Sequence, residues 1–332
     1  MLLHHSDKVS DKVEKIKIVF LDHATFPPGI VLNKINTPNE IVLYESTKPE
    51  DISLRINDAD IIITNKVKIT REILQKAAKL RFIAVAATGT DVVDLAACKE
   101  LGVSVANIRH YAMNSVPEHT FALMLALRRS IIAYHQAVCA GRWQRAGQFC
   151  FFDYPIKNLS GCTLGLIGDG VLGKAVAEIA KSFGMNVLFS AYKGNSSMGP
   201  LYTPFEEVLR ESDIIAIHCP LLDSTRDMIS SAEFEKMKPS CLVINTARGG
   251  IVNEKALYYA LTQGQIAGAA FDVAVNEPPA PQDLIMALTK LPNFILTPHI
   301  SWASLEAIQT LADKLIENIN DYLSGEPINL VN

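Results

Sequence analysis

Three segments of the chain each place a reactive side chain just beyond a short apolar run. In LVINTARGG, Arg248 follows residues 242–246, and Gly249-Gly250 leaves the backbone free to turn tightly. In GAAFDVAVNEPPAP, Asp272 ends the run 268–272 and Glu277 stands before a proline pair. In FILTPHISWAS, His299 follows the run 294–298. A guanidinium, a carboxylate and an imidazole are the set that interconversion of a 2-keto acid and a 2-hydroxy acid needs. The planar fork of Arg248 can hold a substrate carboxylate and polarise the ketone. His299 can supply the proton as hydride arrives, since imidazole changes charge near neutral pH. Glu277 would orient that ring, and Asp272 could accept from the nicotinamide amide or ring region.

These residues meet only if the runs before them are neighbouring parallel strands, because ligands of open α/β sheets sit at the carboxyl ends of strands. The rest of the chain agrees. Short β-branched runs alternate with longer helical patterns, at 16–20, 41–44, 60–64, 82–86 and 103–107, then at 163–168, 186–190, 213–218, 242–246, 268–272 and 294–298. Most are continuously apolar, as strands covered on both faces are. The pattern predicts an α/β protein with two doubly wound parallel-sheet domains. A length of 332 residues also exceeds one ordinary core. NDADIIITN at 57–65 echoes RESDIIAIH at 210–218, as two related domains would.

Between the halves lies a helical stretch, 114–143, with Ser115 and Glu118 spaced as a capping box and Pro117 in the first turn. It is apolar over most of its circumference, so it is expected between layers or against another subunit. Near the end, 304–326 repeats Leu305, Ile308, Leu311, Leu315 and Ile319 at helical spacing, with Gly325 as the stop signal. This helix is expected to return to the first domain. The domains expected are therefore residues 1–109 plus 300–332, binding substrate, and residues 110–299, binding a dinucleotide.

The dinucleotide expectation rests on TLGLIGDGVLGKAVAEIAKSFGMNVLFS, where Gly168-x-Gly170-x-x-Gly173 joins a strand to a helix. Gly168 permits the turn, Gly170 lets a pyrophosphate approach the backbone, and Gly173 lets helix pack on strand. The helix start then offers N–H groups and a positive dipole end. At the end of the second strand, where an acid normally binds the adenosine ribose, stands Ala191, flanked by Ser190, Tyr192 and Lys193. Without that acid a 2′-phosphate is not repelled. Lys193 is either a solvated lysine or an attractor for such a phosphate, so NAD is the first expectation and NADP its rival. His218 is expected to line the adenosine pocket. His119 and His135 read as packing or surface residues, and His110 has no assigned role.

Composition narrows the partners. A formal net charge of −4 leaves no footprint for nucleic acid or an anionic membrane, so small molecules are expected. The six cysteines form no C-x-x-C pair, which argues against a metal site or a disulfide framework and for a reducing cytoplasm. Residues 1–17 are polar, without a signal-peptide core, and the run FALMLAL is too short to span a bilayer.

The motifs GLIGDGVLGKAVA, HCPLLDSTRDMI, MKPSCLVINTARGGIVNE, GAAFDVAVNEPP and TPHISWAS, in that order, resemble the D-isomer-specific 2-hydroxyacid dehydrogenases, over nearly all the chain from about residue 16. The resemblance implies a flavodoxin-like and a Rossmann-like domain with a cleft between, and a homodimer built around the long helix after Ser115. It places the family's catalytic trio on Arg248, Glu277 and His299. It implies a substrate-carboxylate loop at ATGTD, with the N–H groups of Thr88 and Gly89 binding the anion. It extends the cofactor set to Val171, Leu172, Cys219, Pro220, Thr225, Thr246 and Ala247. Within the family, AATGTDVVDL, AGRWQRAGQFCF and PHISWAS are most similar to glycerate dehydrogenases, also known as hydroxypyruvate reductases. Trp302 would then border the substrate's hydroxymethyl end. A D-lactate-type reductase, or a dinucleotide-sensing scaffold like the corepressors resembling this family, are the alternatives.

Overall fold

The computed structural model describes residues 15–195 and 198–332. It divides into two compact units, residues up to 111 with 305–332, and residues 112–304. In the first unit, strands β1 (Ile16–Phe20), β2 (Asn39–Leu43), β3 (Ile61–Thr64), β4 (Phe82–Val85) and β5 (Ser104–Ala106) are parallel in the order β2-β1-β3-β4-β5. This is the flavodoxin-like order. The central β3 and β4 are buried along their whole length, which accounts for their unbroken apolar runs. β2 begins earlier than its apolar run suggests, because Asn39 and Glu40 pair with Ile16 and Lys17 on an edge where polar side chains reach water.

The helix Leu305–Ser324 belongs to this unit. Leu311, Leu315 and Ile319 are fully buried on its apolar stripe. Tyr322 stacks on Phe82 with ring centroids 4.2 Å apart, and the Asn318 amide donates to the Asn107 carbonyl at 2.9 Å. Gly325, at φ 86°, stops the helix.

The second unit holds seven parallel strands, β6 (Thr163–Ile167), β7 (Asn186–Ser190), β8 (Tyr202–Thr203), β9 (Ile214–Ile217), β10 (Leu242–Asn245), β11 (Gly268–Phe271) and β12 (Phe294–Leu296), in the order β12-β11-β10-β9-β6-β7-β8. Chain order reverses between β6 and β9, the switch point of a Rossmann sheet. β8 is two residues long and leaves no periodicity for sequence reading to find.

The stretch 114–143 is not one helix. It breaks into Ser115–Arg128, Ile131–Cys139 and Arg142–Ala146, with Ser130 (φ 49°) and Gly141 (φ 76°) in left-handed conformations at the joints. The expected capping box does not form either. Asn114 is the N-cap, and Ser115 donates to the Ser301 carbonyl at 2.6 Å. No helix among the described residues is long and apolar enough to cross a membrane.

The echo between 57–65 and 210–218 has a structural meaning. Asp60 precedes β3 and accepts from the Lys17 N–H of β1 at 2.9 Å; Asp213 precedes β9 and accepts from the Thr163 N–H of β6 at 2.9 Å. Each aspartate also gives its carbonyl to the strand beyond, from Arg81 and Leu242 respectively. One device starts both sheets. Leu315→Ala should lower the stability of the first unit by about 2–5 kcal/mol, the usual loss for a leucine truncated in a core, as read from chemical denaturation.

Candidate active site

Strands β10, β11 and β12 run in register, with Asn245 opposite Phe271 and Phe271 opposite Leu296. Their carboxyl ends therefore emerge side by side, and the next residues of each carry Arg248, Asp272 with Glu277, and His299. The structure brings the last two together: His299 Nδ1 lies 2.7 Å from Glu277 Oε2. A carboxylate only accepts, so Nδ1 carries the hydrogen and Nε2 is left as the nitrogen that exchanges protons.

His299 is held by its loop as well as by Glu277. Its backbone is left-handed at φ 54°, its N–H donates to the Thr297 carbonyl at 3.0 Å, and its carbonyl accepts from the Trp302 indole at 2.9 Å. Behind it, the Asp272 carboxylate is fully buried and accepts from the N–H groups of Ile300 (3.0 Å) and Ser301 (2.8 Å) and from the Thr297 hydroxyl. Asp272 is expected to face the nicotinamide and Trp302 the substrate. In the structure both Asp272 oxygens accept from the loop, and the Trp302 indole N–H donates to the His299 carbonyl. His119, read as packing or surface, bonds Thr297 at 3.0 Å and approaches Asp272 at 3.7 Å. No local pattern marks His119; only the helix's placement brings it there.

Arg248 stands on a turn whose shape depends on Gly249. A Cβ at Gly249 would lie 1.9 Å from the Ala274 carbonyl oxygen and 2.6 Å from the Val275 nitrogen. The turn carrying Arg248 thus packs directly on the turn carrying Glu277, whose second oxygen accepts from the Ala274 N–H at 3.1 Å. Arg248 Nη1 donates to the Ala247 carbonyl at 2.8 Å, and Asn245 braces the turn through the Arg248 carbonyl and the Ala247 N–H, both at 3.0 Å.

The glycine loop fits a dinucleotide. Gly168 has φ 112°, and a Cβ there would lie 2.6 Å from the His218 backbone; one at Gly173 would lie 2.1 Å from the Gly168 carbonyl oxygen. In front of Gly170 there is open space, and no side chain caps the helix Val171–Ser182 at that residue. The N–H groups of Val171, Leu172 and Gly173 are thereby left for an anion.

Beside this loop, the His218 ring buries Nε2 without a partner, and burial pushes its pKa down to about 4. Burial pushes the Cys219 thiol up to about 11, so both groups are neutral around the loop. Pro220 and Thr225 belong to one turn, with the Thr225 hydroxyl donating to the Pro220 carbonyl at 2.7 Å. Thr246 is buried with its hydroxyl 3.1 Å from that of Thr120, facing the helix 115–128. Ala191 is buried and Tyr192 exposed at the end of β7. Lys193 is exposed, and its ammonium meets Glu233 at 2.8 Å and the Met228 carbonyl at 2.9 Å. In the first unit, Thr88 donates through its hydroxyl to the Ile108 carbonyl at 2.7 Å, which shapes the loop carrying Gly89.

A Rossmann sheet, a glycine loop and an imidazole–carboxylate pair at adjoining strand ends define a nicotinamide-dependent dehydrogenase domain. Residues 121–301 match the D-isomer specific 2-hydroxyacid dehydrogenase, NAD binding domain. The glycerate dehydrogenase of Methylorubrum extorquens is 46% identical over 317 residues, covering 95% of this chain and 98% of that protein. The hydroxypyruvate reductase of Blautia hydrogenotrophica is 37% identical, covering 96% of this chain and 100% of that protein. Among solved structures, D-lactate dehydrogenase from Aquifex aeolicus, complexed with NAD and lactic acid, superposes with a TM-score of 0.80 at 27% identity, over 95% of this chain and 98% of that one. The chain belongs to the D-isomer-specific 2-hydroxyacid dehydrogenases, and it is an NAD-dependent oxidoreductase.

Because His218 titrates at about 4 when folded and near 6.5 otherwise, the folded chain binds fewer protons than the unfolded one between those values. Its contribution to stability is therefore intact above pH 6.5 and declines as pH falls toward 4. Denaturation midpoints at pH 7.5, 6 and 4.5 should show this slope, and His218→Gln should flatten it.

Proposed function

We propose that the chain reduces hydroxypyruvate or glyoxylate to the D-2-hydroxy acid, and runs in reverse as a D-glycerate dehydrogenase. The observation that carries the mechanism is the 2.7 Å contact between His299 Nδ1 and Glu277. When bound, the reduced nicotinamide supplies a hydride to the ketone carbon. His299 Nε2 gives its proton to the ketone oxygen, and Glu277 holds the ring and offsets the positive charge that the proton donor carries. Arg248 binds the substrate carboxylate and polarises the ketone. The first unit serves as the substrate domain, with the Thr88 and Gly89 N–H groups as its anion-binding loop, and Trp302 borders the hydroxymethyl end through its ring. The glycerate dehydrogenase and hydroxypyruvate reductase names of the two relatives support this substrate class.

A homodimer is part of the same reading. Exposed Ile131, Ile132, Trp143, Phe149, Phe152 and Ile156 cluster in one segment, with Phe149 88% and Phe152 80% exposed. Such a patch is characteristic of a subunit interface. All six cysteines are free, which supports a reducing cytoplasm.

His299→Ala should lower kcat by about 10²–10⁴-fold, the usual share of a general acid, while the Kd for NADH stays close to that of the unaltered protein. Near-normal turnover would defeat the proposal. A substrate panel of hydroxypyruvate, glyoxylate, pyruvate and phosphohydroxypyruvate should give the highest kcat/KM with one of the first two. Preference for pyruvate would favour the D-lactate-type reading, and no turnover with any of them the scaffold reading.

A further inference from the structure

The carboxylate that usually marks the adenosine ribose site is absent from the end of β7, where Ala191 stands buried. A different carboxylate lies over that strand end. Asp169, the middle residue of Gly168-Asp169-Gly170, accepts from the Tyr202 hydroxyl at 2.5 Å through Oδ2. Tyr202 sits on β8, paired with Phe189 of β7, and the Ala191 N–H donates to the Thr203 carbonyl at 2.8 Å. β7 lies between β6 and β8 in the sheet, so a bond from β8 to the loop after β6 must cross the carboxyl end of β7. The tyrosine therefore draws the Asp169 side chain toward the place where the first ribose of a dinucleotide rests in this fold. Asp169 Oδ1 has no hydrogen-bond partner among the described residues.

The nearby cation is already paired. Lys193, two residues past Ala191, is tied to Glu233 and the Met228 carbonyl, and Glu233 is itself buried and engaged with the Ser230 N–H at 2.9 Å. A 2′-phosphate entering here would meet a carboxylate without a free ammonium beside it, whereas a 2′-hydroxyl would find an acceptor. We propose that Asp169, positioned by Tyr202, replaces the missing strand-end acid, binds the adenosine ribose diol and makes the chain selective for NADH over NADPH. This rests on the dehydrogenase reading above but not on its substrate.

The test is direct titration of NADH and NADPH, followed by nicotinamide fluorescence without substrate, on the full chain. The unaltered protein should bind NADH at least about tenfold more tightly, as expected for a site with a hydrogen-bond acceptor facing a hydroxyl rather than a phosphate. Asp169→Asn should shrink that ratio by about tenfold, and Tyr202→Phe, which removes one hydroxyl, should shrink it less. Equal or tighter binding of NADPH by the unaltered protein overturns the assignment and leaves the reductase reading intact. Binding of neither dinucleotide overturns both. An Asp169→Asn change that shifts both affinities by one common factor reveals a general charge effect and also overturns it. If Asp169→Asn melts at a lower temperature and cannot be titrated, an unchanged ratio in Tyr202→Phe decides against the proposal.

Discussion

Asp272 has no contact with solvent, and its two oxygens are taken by Thr297, Ile300 and Ser301. A carboxylate in that position is tolerable only while those donors stay in place, because a buried acceptor without partners costs about 1–3 kcal/mol or more. The constraint therefore runs outward from the core. It fixes the loop 297–301 in one shape, and that shape includes a left-handed His299, a conformation that costs about 1–2 kcal/mol for a residue with a Cβ. Ser115 at the start of a neighbouring helix fastens the same loop through the Ser301 carbonyl. The imidazole is aimed by its backbone before any contact with Glu277 is made.

The sheets, the glycine loop and the strand-end positions of Arg248, Glu277 and His299 are legible in the sequence because each has a local signature. Continuously apolar runs betray buried strands, and glycines at fixed spacing betray a close approach of backbone to backbone. Second-tier contacts have no such signature. His119 reaches Thr297 across 178 positions and nothing in its neighbours announces it. Asp272 ends a strand, which by itself says only that it stands at the sheet's carboxyl edge; that its oxygens accept from a loop depends on the path of residues 297–301. Ser115 and Glu118 had the spacing of a capping box, yet Ser115 found a tertiary partner that the helix itself could not offer.

The paired aspartates Asp60 and Asp213 show how a faint repeat can be more than composition. Each fastens the start of its strand to the two neighbouring strands by the same two bonds, within the Asp-Ile-Ile that the two segments share. Each is also met by one cation, Arg81 at 3.2 Å and Lys238 at 3.1 Å. The recurrent residues carry a recurrent hydrogen-bonding role.

The helix Leu305–Ser324 lies at the far end of the chain from the strands it covers. The sheet of the first unit is thus completed by a segment that follows, in the chain, the strands of the second unit, the last of which ends at Leu296. The second unit is one continuous segment, 112–304, whereas the first is assembled from two segments that lie on either side of it in the chain.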